Sequence, residues 1–310
     1  MIPREVVAVM SRRRIAAEVR TETATQALSV VDALAVGGVT TIEISLTIPG
    51  AHEILSHLTT RQDVLVGAGA VLDGQQAREA IAVGARFIAS PIFNPDLASI
   101  CQEANVTCVL GALTPSEIIA AQRAGAEMVK IFPAEALGGP MYIRALLRQL
   151  THMSLQISGG FSAEHMIEYL ELPIRSLALG TLLVPRVLVE RANWAAITNR
   201  ARAFVEYATN PHAYAAQFLA MMGIGTSAAL ANPRVANIPT MPIPPGMAGM
   251  IDPTVPDMPP ASSHPGFDPA ASASHPGASR SGINPAASSS GFHPWDSRPI
   301  EMGDDEDWLR

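Results

Sequence analysis

The chain has 310 residues, 48% of them hydrophobic, with 25 prolines, 23 glycines and a formal net charge of −7. That charge argues against a general nucleic-acid binder, and no apolar stretch reaches the ~18 residues that suggest a transmembrane helix. Cys101 and Cys108 lack metal-ligand spacing and read as buried thiols of a reducing compartment. No leader peptide is expected, because Arg4 and Arg12-Arg13-Arg14 flank the N-terminal apolar run without a long apolar core between them. A cytoplasmic protein is therefore expected.

Composition divides the chain. Residues 1–209 read as globular, whereas from about 232 Pro, Gly, Ser, Ala and His dominate and aliphatic periodicity is lost. So little apolar surface does not offset chain entropy, which predicts a disordered tail over 232–310.

Taken in order, the globular part repeats one unit. A short amphipathic helix over 3–11 leads into a strand over 15–20. A helix over 21–36 follows, with Ala27, Leu28, Val31, Leu34 and Ala35 on one stripe and Gly37-Gly38 as its stop. The alternation continues with strand 40–46, helix 50–59, strand 64–69, helix 74–83, strand 86–90, helix 94–103 and strand 107–110. Helix 115–124, strand 127–132, helix 140–149, strand 154–158, helix 162–170, strand 175–180 and a last helix near 192–207 complete it. Eight strand-helix units in roughly 200 residues predict a (β/α)8 barrel of the TIM type. An open doubly wound sheet is the runner-up, disfavoured because no strand leads into a Gly-x-Gly-x-x-Gly turn.

Barrels of this kind act where their strands end. Two residues there stand out. Lys130, in Met128-Val129-Lys130-Ile131-Phe132-Pro133, must point either into a core or into a pocket, and burial is expected to lower its pKa toward that of a nucleophilic amine able to form a Schiff base. Glu43, in Thr41-Ile42-Glu43-Ile44-Ser45, places a carboxylate in an apolar strand, a costly arrangement unless the group is paired or working.

Five segments resemble, in order, the class I aldolases that cleave 2-keto-3-deoxy-6-phosphogluconate or 4-hydroxy-2-oxoglutarate. Gly37-Gly38 with Glu43 resembles the family's glycine pair and its acid/base strand. Val66-Gly67-Ala68-Gly69-Ala70-Val71 resembles its Val-Gly-Ala-Gly-Thr-Val strand end, and Ser90-Pro91 its Ser-Pro turn. Lys130 falls on the Schiff-base lysine, and Ser158-Gly159-Gly160 on the Thr-Gly-Gly phosphate loop.

The resemblance implies that Lys130 forms an iminium with the keto carbon, that Glu43 shuttles protons, and that Phe132 and Pro91 shape a dry pocket. It implies no metal or other cofactor, a keto-acid substrate and a homotrimer. The chain departs from the family at Ala70, usually threonine, and at Thr47, often arginine, which leaves Arg20 to receive the keto-acid carboxylate. Gly159, Gly160, Gly180 and Thr181 are expected to offer backbone N–H groups to an anion. Leu179 stands where the family has glycine, and its bulk is expected near the phosphate position.

Beyond the barrel, 210–231 carries enough Ala, Met and Phe for a further helix. The stretch 259–300 repeats Gly-apolar-polar-Pro three times, at Gly266, Gly282 and Gly291, and the chain ends Asp304-Asp305-Glu306-Asp307-Trp308-Leu309-Arg310. Such a tail suggests tethering to a protein partner, larger assembly or shell. The two readings are an active aldolase that cleaves a 2-keto-3-deoxy-6-phosphosugar acid or 4-hydroxy-2-oxoglutarate to pyruvate and an aldehyde, with a localisation tail, and an inactive or weakened trimeric scaffold presenting tails.

Overall fold

Short apolar strands alternate with capped helices, and the computed structural model, which describes residues 1–223, closes the strands into a ring. After α1 (Pro3–Arg13) come β1 (Ile15–Val19), α2 (Ala24–Val36), β2 (Thr41–Ser45), α3 (Ala51–Leu58), β3 (Leu65–Gly69) and α4 (Gly74–Ala82). The chain continues through β4 (Phe87–Ala89), α5 (Pro95–Ala104), β5 (Thr107–Ala112), α6 (Pro115–Arg123), β6 (Met128–Ile131) and a 3-10 turn (Ala134–Leu137). Then follow α7 (Pro140–Gln149), β7 (Leu155–Ser158), α8 (Ala163–Leu170), β8 (Ser176–Leu179), α9 (Arg186–Glu190), α10 (Trp194–Thr209) and α11 (Pro211–Met221).

Helix starts are set by local chemistry. Thr23, Asp73, Asn94, Thr114, Ser162 and Asn193 each accept a hydrogen bond from a first-turn N–H, satisfying donors that the helix itself leaves unpaired. At α6 the cap is reciprocal, with Glu117 reaching back to the Thr114 N–H. The eight strands are all parallel, and β8 pairs with β1 to close the barrel. This is the (β/α)8 architecture expected from the alternation.

Alternation along each strand decides what faces where. Ile42, Ile44, Val66, Ala68, Val129, Ile131, Leu177 and Leu179 join the apolar layer between sheet and helices. Their neighbours Glu43, Ser45, Gly67, Gly69, Lys130 and Ala178 therefore turn into the barrel. Leu179 thus adds bulk toward the helices and not beside the anion position, which corrects the expectation for that residue.

Two ends of the barrel differ. Inside the barrel, Leu65, Phe87, Ala89, Val109 and Met128 form one buried apolar cluster with Val6 and Met10 of α1, a plug toward the end where the strands begin. Polar and ionisable side chains gather at the other end.

The helix expected near 192–207 is α10, and the short α9 precedes it. Ala192 turns at φ 49°, and Asn193 restarts the chain by capping α10. Within the expected 210–231 segment, α11 packs on α10: Phe218 stacks on Tyr207 with ring centroids 4.3 Å apart and meets Phe204 edge-on at 4.9 Å. Phe218 and Leu219 are buried. The expectations for the tail over 232–310, including its repeats and acidic terminus, lie outside the described residues.

Candidate active site

Lys130 ends its strand inside the barrel, 3% exposed. Its Nζ donates to Glu43 Oε1 at 2.8 Å and Oε2 at 2.9 Å, and to Glu18 Oε1 at 2.9 Å. Ser158 Oγ donates to the same Glu18 oxygen at 2.8 Å. Because β1 and β2 are in register with Glu18 beside Glu43, both carboxylates reach the one ammonium.

Glycine makes room for this cluster. A Cβ on Gly69 would stand 2.3 Å from Glu43 Oε1, so only glycine lets the carboxylate lie across β3. Gly159 and Gly160 both adopt positive φ, 96° and 77°, and a Cβ on Gly159 would meet the Phe132 ring and Pro133 Cα at 2.9 Å. The turn after β7 is thereby pressed against the turn after β6.

Charges set the resting state. Desolvation alone would push the Lys130 ammonium down, but Glu18 and Glu43 outweigh it and hold the group above the ordinary lysine value. The expected lowering of that pKa is therefore wrong for the resting site, where the amine is an ion-paired ammonium. Glu43 is raised to about 7, chiefly by burial, with Lys130 opposing the rise and the like charge of Glu18 adding to it. Two carboxylates and one ammonium leave a net negative charge, and a proton on Glu43 relieves it.

Above the cluster opens a cavity of about 300 Å³. Of the predicted site residues, Lys130, Glu43, Arg20, Ala70, Pro91, Phe132, Gly159, Gly160, Gly180 and Thr181 line it. Ser158 does not, because its buried hydroxyl is committed to Glu18. Thr47 is exposed outside the cavity wall, its hydroxyl 2.8 Å from that of Ser45. Glu18, Ser45, Phe161, Leu182 and Val184 line the cavity without having been singled out from the sequence. For Glu18 a signal existed: two residues before Arg20 it lies on the same face of an otherwise apolar strand, as Glu43 does in its own.

A closed barrel that holds a buried lysine against a carboxylate at its strand ends has the parts of a Schiff-base lyase, and this chain is a class I pyruvate aldolase. Residues 6–200 match the family model of the KDPG and KHG aldolases, and the chain belongs to that family. It is 33% identical over 180 residues to the 2-dehydro-3-deoxy-phosphogluconate aldolase of Pseudomonas aeruginosa, a match spanning 58% of this chain and 82% of that protein. With the KHG/KDPG aldolase of Escherichia coli the identity is 31% over 181 residues, 58% of this chain and 85% of the relative. Among solved structures, the KDPG aldolase of Legionella pneumophila superposes with a TM-score of 0.60 at 29% identity, covering 64% of this chain and 97% of that one. That enzyme was captured with pyruvate as a covalent carbinolamine.

Proposed function

We propose that the chain cleaves a 4-hydroxy-2-oxo acid, either a 2-keto-3-deoxy sugar acid or 4-hydroxy-2-oxoglutarate, to pyruvate and an aldehyde, with Lys130 as nucleophile and Glu43 as acid/base. The observation that carries this reading is the direct contact of Lys130 Nζ with both oxygens of the buried Glu43. Entry of the keto acid lets Glu43 take a proton from the ammonium, and the freed amine adds to C2. Glu43 returns that proton to the carbinolamine hydroxyl, which leaves as water and gives an iminium. Glu43 then removes the C4 hydroxyl proton, C3–C4 breaks, and the electron pair flows into the iminium to leave an enamine and the aldehyde. Protonation at C3 and hydrolysis release pyruvate and restore the lysine.

Arg20, exposed at the cavity edge, is the cation for the substrate carboxylate. Phe132 and Pro91 wall the reacting end, and the glycines and Thr181 form the far end. Borohydride reduction with pyruvate is expected to add one three-carbon adduct, which peptide mass analysis will place on Lys130. No adduct, or an adduct elsewhere, defeats the reading.

The same proposal includes a homotrimer, a cytoplasmic location and a tail that tethers the barrel to a partner, assembly or shell. Exposed Leu72, Ile92 and Phe93 support a subunit contact, since they crowd two adjoining loops that the Asn94 Nδ2–Leu72 carbonyl bond joins. The biased composition and acidic, Trp308-containing terminus support the tether. Truncation after residue 231 is expected to leave oligomer state and pyruvate trapping intact while abolishing co-purification of the partner. A broken trimer or a lowered melting temperature would mean that the tail is structural instead.

A further inference from the structure

Glu18 is a carboxylate inside the reaction cavity that the cleavage chemistry does not require. Its Oε1 is saturated by Lys130 Nζ and Ser158 Oγ. Its Oε2 lies at the far end of the cavity, 3.7 Å from where a Cβ of Gly180 would stand. Glu18 therefore sits between the nucleophile and the turn formed by Gly180 and Thr181, which line the cavity with Gly159 and Gly160. With Glu43 95% covered, Glu18, 28% exposed, is the carboxylate that an incoming substrate meets.

Among the described residues that line the cavity, no cation is left for a second anionic group. Among its lining residues only Lys130 and Arg20 are basic. Lys130, as ammonium or as iminium, carries one positive charge that Glu18 and Glu43 already face, and Arg20 is the cation assigned above to the pyruvyl carboxylate. Arg186, beyond the turn after β8, is already bonded to Glu22 at 2.7 Å and to Glu190 at 2.6 Å. Ser158, whose hydroxyl would otherwise serve an anion, donates to Glu18 instead. A phosphate or carboxylate at this end would meet the Glu18 charge with only uncharged donors to offset it.

We infer that the aldehyde half of the substrate is uncharged and hydroxylated, and that Glu18 selects it by accepting a substrate hydroxyl at Oε2 and repelling a phosphate or carboxylate. The inference rests on the aldolase reading above and narrows it: the substrate is a 2-keto-3-deoxy sugar acid with a free terminal hydroxyl. Glu18 is thus a specificity residue. A like charge near Glu18 in a partly solvated site corresponds to roughly 10–100-fold in discrimination.

The test is aldol condensation of pyruvate with D-glyceraldehyde, D-glyceraldehyde 3-phosphate and glyoxylate, comparing kcat/KM for the full-length protein and for Glu18→Gln, with pyruvate-borohydride trapping run on both. The wild type is expected to use glyceraldehyde at least ~10-fold better than either anionic aldehyde, and Glu18→Gln to move that ratio toward the phosphorylated aldehyde by roughly 10–100-fold. Trapping at Lys130 together with a wild-type preference for the phosphorylated aldehyde, or with an unchanged ratio in Glu18→Gln, overturns the inference and leaves the aldolase reading standing. Absence of the adduct in the wild type overturns both. Should Glu18→Gln fail to fold, the wild-type ratio decides alone.

Discussion

Lys130→Met is expected to reduce kcat to background, a loss on the order of 10⁴–10⁶ of the kind seen when a catalytic nucleophile is removed, and to abolish the pyruvate adduct. Methionine keeps the length and volume of the side chain, so the barrel interior stays filled while the amine is lost. The substitution also strands Glu43, 4% exposed, without its cation. Breaking a buried ion pair costs about 3–5 kcal/mol when the remaining group stays charged. Here it protonates instead, because the Lys130 charge was the main influence opposing its raised pKa. The folded variant then binds a proton that the unfolded chain has released, so its stability falls as pH rises above the ordinary carboxylate range. Thermal melts at pH 6 and pH 8 are expected to show a larger deficit, relative to the wild type, at pH 8. Retained turnover would remove Lys130 from the chemistry, and a deficit independent of pH would mean that Glu43 is not the group left unpaired.

The barrel was legible in the sequence because each unit states itself twice, once in apolar period and once in punctuation. The helix over 115–124 is an instance: Thr114, Pro115 and Glu117 mark its start, and α6 begins at Pro115. Lys130 and Glu43 were legible as ionisable groups in apolar strands. The direction of the Lys130 pKa was not, because the sequence reading included only burial, and the opposing charges come from residues 87 and 112 positions away. Nor was the commitment of Ser158, whose partner is 140 residues distant. Leu179 shows a different failure. Strand alternation was sufficient to place it opposite Ala178, on the helix-facing side with Leu177, but the family glycine at that position drew the reading toward the pocket. Glu18 was overlooked because Arg20, at the strand end, took all the weight given to that segment.

Glu43→Gln separates carbon–carbon cleavage from lysine chemistry. The amide keeps the size of the side chain and an oxygen for Lys130 Nζ, but it accepts no proton, so turnover is expected to fall by on the order of 10²–10⁴ while borohydride still traps pyruvate on Lys130. The pH profile carries the sharper signature. Burial, with Glu18 adding to it, holds Glu43 at about 7 against the pull of Lys130. The base form exists above that value and the protonated form below it, so wild-type kcat/KM is expected to fall with unit slope as pH drops through about 7. In Glu43→Gln that acidic limb should vanish from the residual rate, since the titrating group is gone. A limb that persists at the same pH would assign the titration to another residue. An unchanged kcat would exclude Glu43 as the base altogether.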